Sequence, residues 1–229
     1  DPYQMPRDWG AARMPPGTPG HIMGTTNRGG DVFYGVVWGA RTSLKLSLIV
    51  VSFTMVLGVL IGSIAGFFGG RIEEILMRVV DVFLSIPELI FALAIAAILG
   101  PSFGNIILAL VVVFWVKYAR IMRAQVLRVK QSEYIDAARV IGDSNLRIYF
   151  KDILPNSFTP VMVQATLDMG NIVLVGATLS FIGLSEAGIA EWGVLVSEGQ
   201  AGISAGRWWA STFPGLMVFL WALAFNLVG

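Results

Sequence analysis

Four ionisable side chains, Asp81, Glu88, Lys117 and Asp168, stand in stretches of the chain otherwise dominated by apolar residues. A charge at the centre of a bilayer costs at least about 2.5 to 3.5 kcal/mol, so such groups pair, or face protein or water, and mark solute or proton paths. Glu88 lies eleven residues before Leu99 and Lys117 twelve after Asn105, on either side of the turn Gly100-Pro101-Ser102-Phe103-Gly104-Asn105. An antiparallel helical hairpin therefore puts the two at similar depth, and the spacing predicts an ion pair between its helices. In the competing arrangement Lys117 snorkels to the interface, while Glu88 faces a wet pathway or is protonated. Asp81 follows Arg78 by three residues and is expected to pair with it on one helix. Asp168 sits near the middle of an apolar run with Asn171 three residues on. It either lines a translocation path, where a carboxylate can meet the amino end of a solute, or makes an interhelical hydrogen bond.

Other chemistries are poorly supplied. The chain has no cysteine and a single histidine, His21, which excludes disulfides and thiol chemistry and leaves only carboxylates to build a metal site. No metal or cofactor is expected. The formal net charge of +1 suggests no nucleic-acid partner. No G-x-x-x-x-G-K-[ST] loop is present to cradle a nucleotide phosphate.

A second group of candidates lies in the charged island Glu133 to Asn156. Apolar residues fall there at Tyr134, Ala137, Ala138 and Ile141, and again at Leu146, Tyr149, Phe150 and Ile153, the i, i+3, i+4, i+7 pattern of amphipathic helices. Gly142 separates the two, Ser144 is placed to cap the second, and Pro155 is expected to end it. The island reads as a helical hairpin outside the bilayer whose apolar face needs a cover. Ala137 and Ala138 permit close backbone approach. Glu133, Asp136, Arg139 and Arg147 can set register through charge pairs at the rim. A solvated amphipathic connector is the plainer reading.

The elements that position these residues are membrane spans. With 55% hydrophobic and 14% charged residues and a mean hydropathy of +0.73, the chain is too apolar for an ordinary soluble domain. It is expected to be an all-α polytopic membrane protein with five spans, at 46–70, 75–99, 106–122, 157–183 and 208–229, each near the ~20 residues that cross a bilayer. Residues 1–45 form a polar arm, 46–229 the transmembrane domain, with short helices at 133–155 and a loop at 184–210. Lys117, Arg120, Arg123, Arg128, Lys130, Arg139, Arg147 and Lys151 cluster around the island, whereas 184–207 carries Arg207 against Glu186, Glu191 and Glu198. The positive-inside rule makes the island cytoplasmic and the arm and loop external. An external polar arm requires an earlier segment to carry it across, so a sixth, N-terminal span is expected to precede this chain. Gly58, Gly62, Gly66 and Gly70 form a stripe on the first span, suited to static helix packing. Trp192, Trp208 and Trp209 are expected at the external interface.

Three stretches resemble a known family, the inner-membrane permease subunits of ATP-binding-cassette importers, and within it the dipeptide, oligopeptide and nickel branch. Asp136-Ala137-Ala138, three residues, Gly142, then Ile153-Leu154-Pro155-Asn156 is similar to that superfamily's Glu-Ala-Ala coupling loop, with Asp in place of the first Glu. His21-Ile22-Met23-Gly24-Thr25 through Ala40-Arg41-Thr42-Ser43-Leu44, and Leu179-Ser180-Phe181-Ile182-Gly183-Leu184 with Trp192-Gly193, resemble the peptide branch. The arm departs from it, with Gly24-Thr25-Thr26 and Gly29-Gly30-Asp31 where an acid and an arginine are usual. The resemblance implies a type I importer transmembrane fold in a bacterial or archaeal inner membrane. It implies partnership with a second permease subunit, two ATPase subunits and an extracytoplasmic binding protein docking on the external arm and loop. Glu133, Asp136, Ala137, Ala138, Arg139, Gly142, Leu154 and Pro155 would then couple to an ATPase groove. ATP hydrolysis would belong to the partners, and di- or oligopeptides would be the cargo. Nickel or another small solute on the same fold is one alternative. From other classes, an ion-coupled secondary carrier would use Glu88 or Asp168 as a proton site, and a membrane scaffold would have no pathway.

Overall fold

The computed structural model describes residues 5–186 and 188–229. Among them the regular structure is helical, apart from isolated bridges in the arm. Asp31 starts the first long helix, α1 (Val32–Phe68), its Oδ1 accepting the Tyr34 N–H at 2.8 Å. Polar groups within α1 do not break it, because Ser47 and Thr54 return their hydroxyls to carbonyls three and four residues back. At 1.5 Å per residue, 37 residues reach about 56 Å, well past a ~30 Å hydrocarbon core. The first helix thus begins at Val32, fourteen residues before the expected start of the span, and its N-terminal part extends beyond the length a bilayer needs.

The expected span 75–99 is two helices. After α2 (Gly70–Leu84) the chain turns through 85° into α3 (Glu88–Leu99). Pro87 explains the break: it has no N–H to continue the helix, and its ring clashes with the carbonyl four residues back. Ser85 Oγ donates to the Val82 carbonyl at 2.7 Å and closes the end of α2. The turn ending at Ser102 leads into α4 (Phe103–Lys130). Beyond the hairpin at 133–155 come α8 (Thr159–Phe181) and, after α9 (Trp192–Ile203), α10 (Trp209–Val228). Helices α1, α4, α8 and α10 are long and apolar enough to cross a membrane, and α2 with α3 makes a fifth span if the bent pair is counted as one.

The core is built on α4. Leu110, Phe114, Tyr118, Met122 and Val126 are buried along one side of it, against Leu46 and Val50 of α1 and Ala165, Met169 and Ile172 of α8. The glycine stripe brings α1 close: a Cβ on Gly58 would lie 2.6 Å from the Trp115 carbonyl oxygen, and one on Gly62 2.2 Å from that of Ala119. Gly66 meets Val126 in the same way, while Gly70, past the helix end, meets nothing within 4 Å. Three of the four glycines are therefore packing residues.

The segment 184–210, expected as an external loop, is more than a loop. It contains α9, whose Trp192, Gly193, Leu195 and Gly199 are buried, with Gly193 pressed on Ala177 of α8 and Gly199 on Ala210 and Ser211 of α10. Two of the three tryptophans expected at the interface serve the interior instead. Trp192 donates Nε1–H to the Val36 carbonyl at 2.9 Å, and Trp209 donates to that of Thr25 at 3.1 Å. Trp208 alone of the three is half exposed.

Candidate coupling and translocation sites

The hairpin expected on the cytoplasmic side is assembled from α5 (Glu133–Val140), α6 (Asn145–Ile148), a π-helical turn Tyr149–Ile153 and α7 (Leu154–Asn156). Gly142 ends α5 with φ +91°, where L side chains are strained. Its N–H reaches the Arg139 carbonyl and that of Asp143 the Ala138 carbonyl, both at 3.1 Å. This paired closure satisfies the last carbonyls of a helix and favours glycine at its centre. Ser144 Oγ accepts the Arg147 N–H at 3.4 Å, capping α6. Pro155 does not stop the helical run, which reaches Asn156; it sits in the first turn of α7, directly after the widened π-helical turn. Widening there relieves the conflict between a proline ring and the preceding turn.

Burial divides the hairpin's apolar residues into two sets. Ile135, Ile148 and Ile153 are buried in the main core, and Tyr149 donates its hydroxyl to Ser63 Oγ at 2.7 Å on α1. Tyr134, Ile141, Leu146 and Phe150 remain exposed, with Ile141 at 79% and Val140 at 86%. Ala137 is exposed and Ala138 half-buried. Arg139 pairs with Asp136 at 2.8 Å and Arg147 with Asp143 at 3.3 Å, both pairs within the hairpin. Leu154 packs on the core, while Pro155 and Glu133 are exposed.

The intramembrane charges come together across three helices. Lys117, half-way along α4, forms an ion pair with Glu88 Oε2, and Asn171 Nδ2 of α8 donates to Glu88 Oε1 at 3.3 Å. The Lys117 ammonium also lies 4.7 Å from the centre of the Phe114 ring, a cation–π contact. Glu88 is the first residue of α3, where a negative charge meets the positive end of the helix dipole. Asp168 is 2% exposed, and its Oδ1 accepts from Gln164 Nε2 at 3.0 Å. It lies within electrostatic reach of Lys117 and Glu88 and faces Tyr118. Neither the Tyr118 hydroxyl nor Asp168 Oδ2 makes a well-formed hydrogen bond to a described residue.

Asp81 does not pair with Arg78. It forms an ion pair with Arg120 of α4, while Arg78 lies 3.8 Å from Glu74 on its own helix. Rotation of α2 against α4 decides this: Val80, between the two, is buried on Val116 and Ala119, so Asp81 is carried toward α4. Glu73 likewise pairs with Arg123. These cross-helix partners, together with Tyr118 and Gln164, escaped sequence reasoning. Tyr118 is the chain neighbour of Lys117, and Gln164 precedes Asp168 by one helical turn, the spacing that could have flagged it.

At the end of the bundle formed by the arm and α9, Arg7 and Arg28 of the arm both reach Glu198 Oε1 of α9, each at 3.1 Å. Met5 N–H reaches the Gly188 carbonyl at 3.1 Å, and His21 Nδ1 lies 2.6 Å from Asp31 Oδ2. Glu191, just before α9, is buried and accepts hydrogen bonds from Ser180 (2.7 and 2.9 Å) and Ser185 (3.1 Å). Burial pushes its carboxyl up to about 7, against the opposing pull of the two serine hydroxyls.

Residues 58–229 match the family described as binding-protein-dependent transport system inner membrane component. The chain belongs to this family. Among relatives of this inner-membrane component, a probable D,D-dipeptide transport system permease protein of Escherichia coli K12 is 41% identical over 219 residues, covering 95% of this chain and 73% of the relative. A dipeptide transport system permease protein of Bacillus subtilis 168 is 39% identical over 210 residues, covering 91% of this chain and 66% of the relative. The chain thus spans about two thirds to three quarters of their lengths. In fold, the component resembles the inward-facing MetNI methionine ABC transporter, with a TM-score of 0.65 at 20% identity over 85% of this chain and 94% of the other. An amino acid ABC transporter crystallised with histidines gives 0.66 at 18%, over 85% and 90%. The component has the transmembrane fold of type I ABC importers and is a multi-pass inner-membrane protein.

Proposed function

We propose that the chain is the permease subunit of an ATP-driven importer of di- or oligopeptides, forming half of a translocation path with a second permease. Its hairpin at 133–155 couples that path to one of two ATPase subunits. The observation that carries the coupling reading is the exposed apolar set Tyr134, Val140, Ile141, Leu146 and Phe150 on a hairpin anchored from behind by Ile135, Ile148 and Ile153. A stable hairpin that shows apolar residues outward suits docking into a groove. Closure of ATPase subunits holding such a lever would rock the membrane helices it is anchored to. Glu133, Asp136, Ala137, Ala138, Arg139, Gly142, Leu154 and Pro155 take the roles of contact, rim charge, turn and anchor in this coupling.

Glu88, Lys117, Asp168 and Asn171 line the path. The Glu88–Lys117 pair is 28% and 30% exposed between otherwise apolar helices, so it faces water or another subunit rather than lipid. An external binding protein docks on the cap formed by the arm and α9, and the names of the relatives favour peptide as cargo. Copurification with the two ATPases, the second permease and the binding protein, followed by uptake of labelled dialanine into proteoliposomes, tests the assignment. ATP-dependent uptake supports it. Uptake driven by an ion gradient without the ATPases would make the protein a secondary carrier instead.

A further inference from the structure

The intramembrane cluster holds two carboxylates, Glu88 and Asp168, and one ammonium, Lys117. Lys117 is committed to Glu88, and Asp168 keeps one oxygen with no hydrogen-bond partner among the described residues although it is 98% buried. Leaving a buried acceptor unmet costs about 1–3 kcal/mol, more when it is charged. The Tyr118 hydroxyl, which also lacks a well-formed partner, faces Asp168, and Oδ2 stays open to a further donor. The Glu88–Lys117 pair is about a third exposed, whereas Asp168 is buried, so an incoming group meets the pair first.

Resting on the peptide-permease reading above, we propose that this cluster is a transit subsite for a primary ammonium group of the solute, worked by an exchange of ion-pair partners. The solute's ammonium takes the place of Lys117 on Glu88, and Lys117 turns to Asp168 Oδ2. No proton moves and no charge is left unpaired. Asn171 holds Glu88 Oε1 through the exchange, and Gln164 holds Asp168 Oδ1, leaving Oδ2 for the lysine. When the solute leaves, Lys117 returns to Glu88 and the starting arrangement is restored. Binding adds one ion pair, Lys117 with Asp168, and release of the solute gives that pair up as Lys117 goes back to Glu88.

The test uses the whole transporter in proteoliposomes, with labelled dialanine as the probe. The double variant Glu88→Gln/Lys117→Gln removes both charges together and leaves amides able to hydrogen-bond. Asp168→Asn removes only the second station and retains an acceptor for Gln164. Both variants are expected to copurify with the partner subunits, and dialanine uptake is expected to fall by about tenfold or more in each. A merely structural ion pair predicts undiminished uptake for the double variant. Undiminished uptake in either variant overturns the exchange. Should the double variant fail to assemble, Asp168→Asn, which breaks no pair of this state, decides alone. Failure of the wild-type protein to copurify with ATPases would instead sink the permease reading.

Discussion

Lys117 reaches from the middle of α4 to Glu88, the first residue of α3, so the bend at Pro87 places a carboxylate and an ammonium together among apolar helices. Removing one partner strands the other, which costs about 3–5 kcal/mol for a fully buried pair. At 28% and 30% exposure about half of that is expected. Glu88→Ala and Lys117→Ala should each lower the thermal unfolding midpoint in detergent, and the charge-reversed double variant Glu88→Lys/Lys117→Glu should recover it. Additive losses in the double variant would show that the two do not act as a pair.

The seam between α1 and α4 admits no side chain at Gly62, whose added Cβ would stand 2.2 Å from the Ala119 carbonyl oxygen. Gly62→Ala is expected to cost about 1–3 kcal/mol through overpacking. Gly104→Ala, where the nearest atom is 3.8 Å away, provides the control and should leave stability unchanged. Comparing the two unfolding midpoints separates close packing from general intolerance of glycine replacement.

The hairpin's two apolar sets predict opposite phenotypes. Ile141→Asp, at a residue 79% exposed, is expected to abolish copurification with the ATPase subunits while the permease stays folded. Ile135→Asp, at a residue fully buried, is expected to destabilise the permease itself, since a carboxylate would enter the core unpaired. Equal loss of folding in both variants would remove the case for a docking face.

Glu191 links stability to pH. The folded protein holds the Glu191 proton up to about 7, whereas a free glutamic acid releases it near 4.5. The folded state binds more protons between those values, so the contribution is full below about pH 4.5 and is lost as pH rises to about 7. Its size is at most about 3 kcal/mol. Glu191→Gln should flatten that part of the profile when unfolding midpoints are recorded from pH 4 to 8, as the difference between the variant and the wild type. Parallel profiles would refute it.

Apolar runs and turn signals at Gly100–Asn105 and Gly142 sufficed to place the spans, the helical hairpin and the depth match of Glu88 with Lys117, because these depend on local sequence and helix period. The boundaries moved where a local signal was outweighed. Pro87 stands inside an apolar run that hydropathy reads as continuous, and Arg41 and Lys45 stop a hydropathy run without stopping the helix.

The tertiary structure alone decided which partners meet. Asp81 could join Arg78 by spacing, and only the seating of Val80 on Val116 and Ala119 turns it to Arg120. Trp192 and Trp209 carry an interfacial composition, yet the wedging of α9 between α1, α8 and α10 buries Trp192 on the Val36 carbonyl, and the packing of α10 on α1 and the arm buries Trp209 on that of Thr25. Asp168, Tyr118, Lys117 and Glu88 occupy three helices, and nothing local to any of them specifies the rotation that makes them neighbours. Periodicity and hydropathy are properties of one helix at a time, whereas rotation and depth are fixed by packing, where volume and charge on every neighbour are satisfied together.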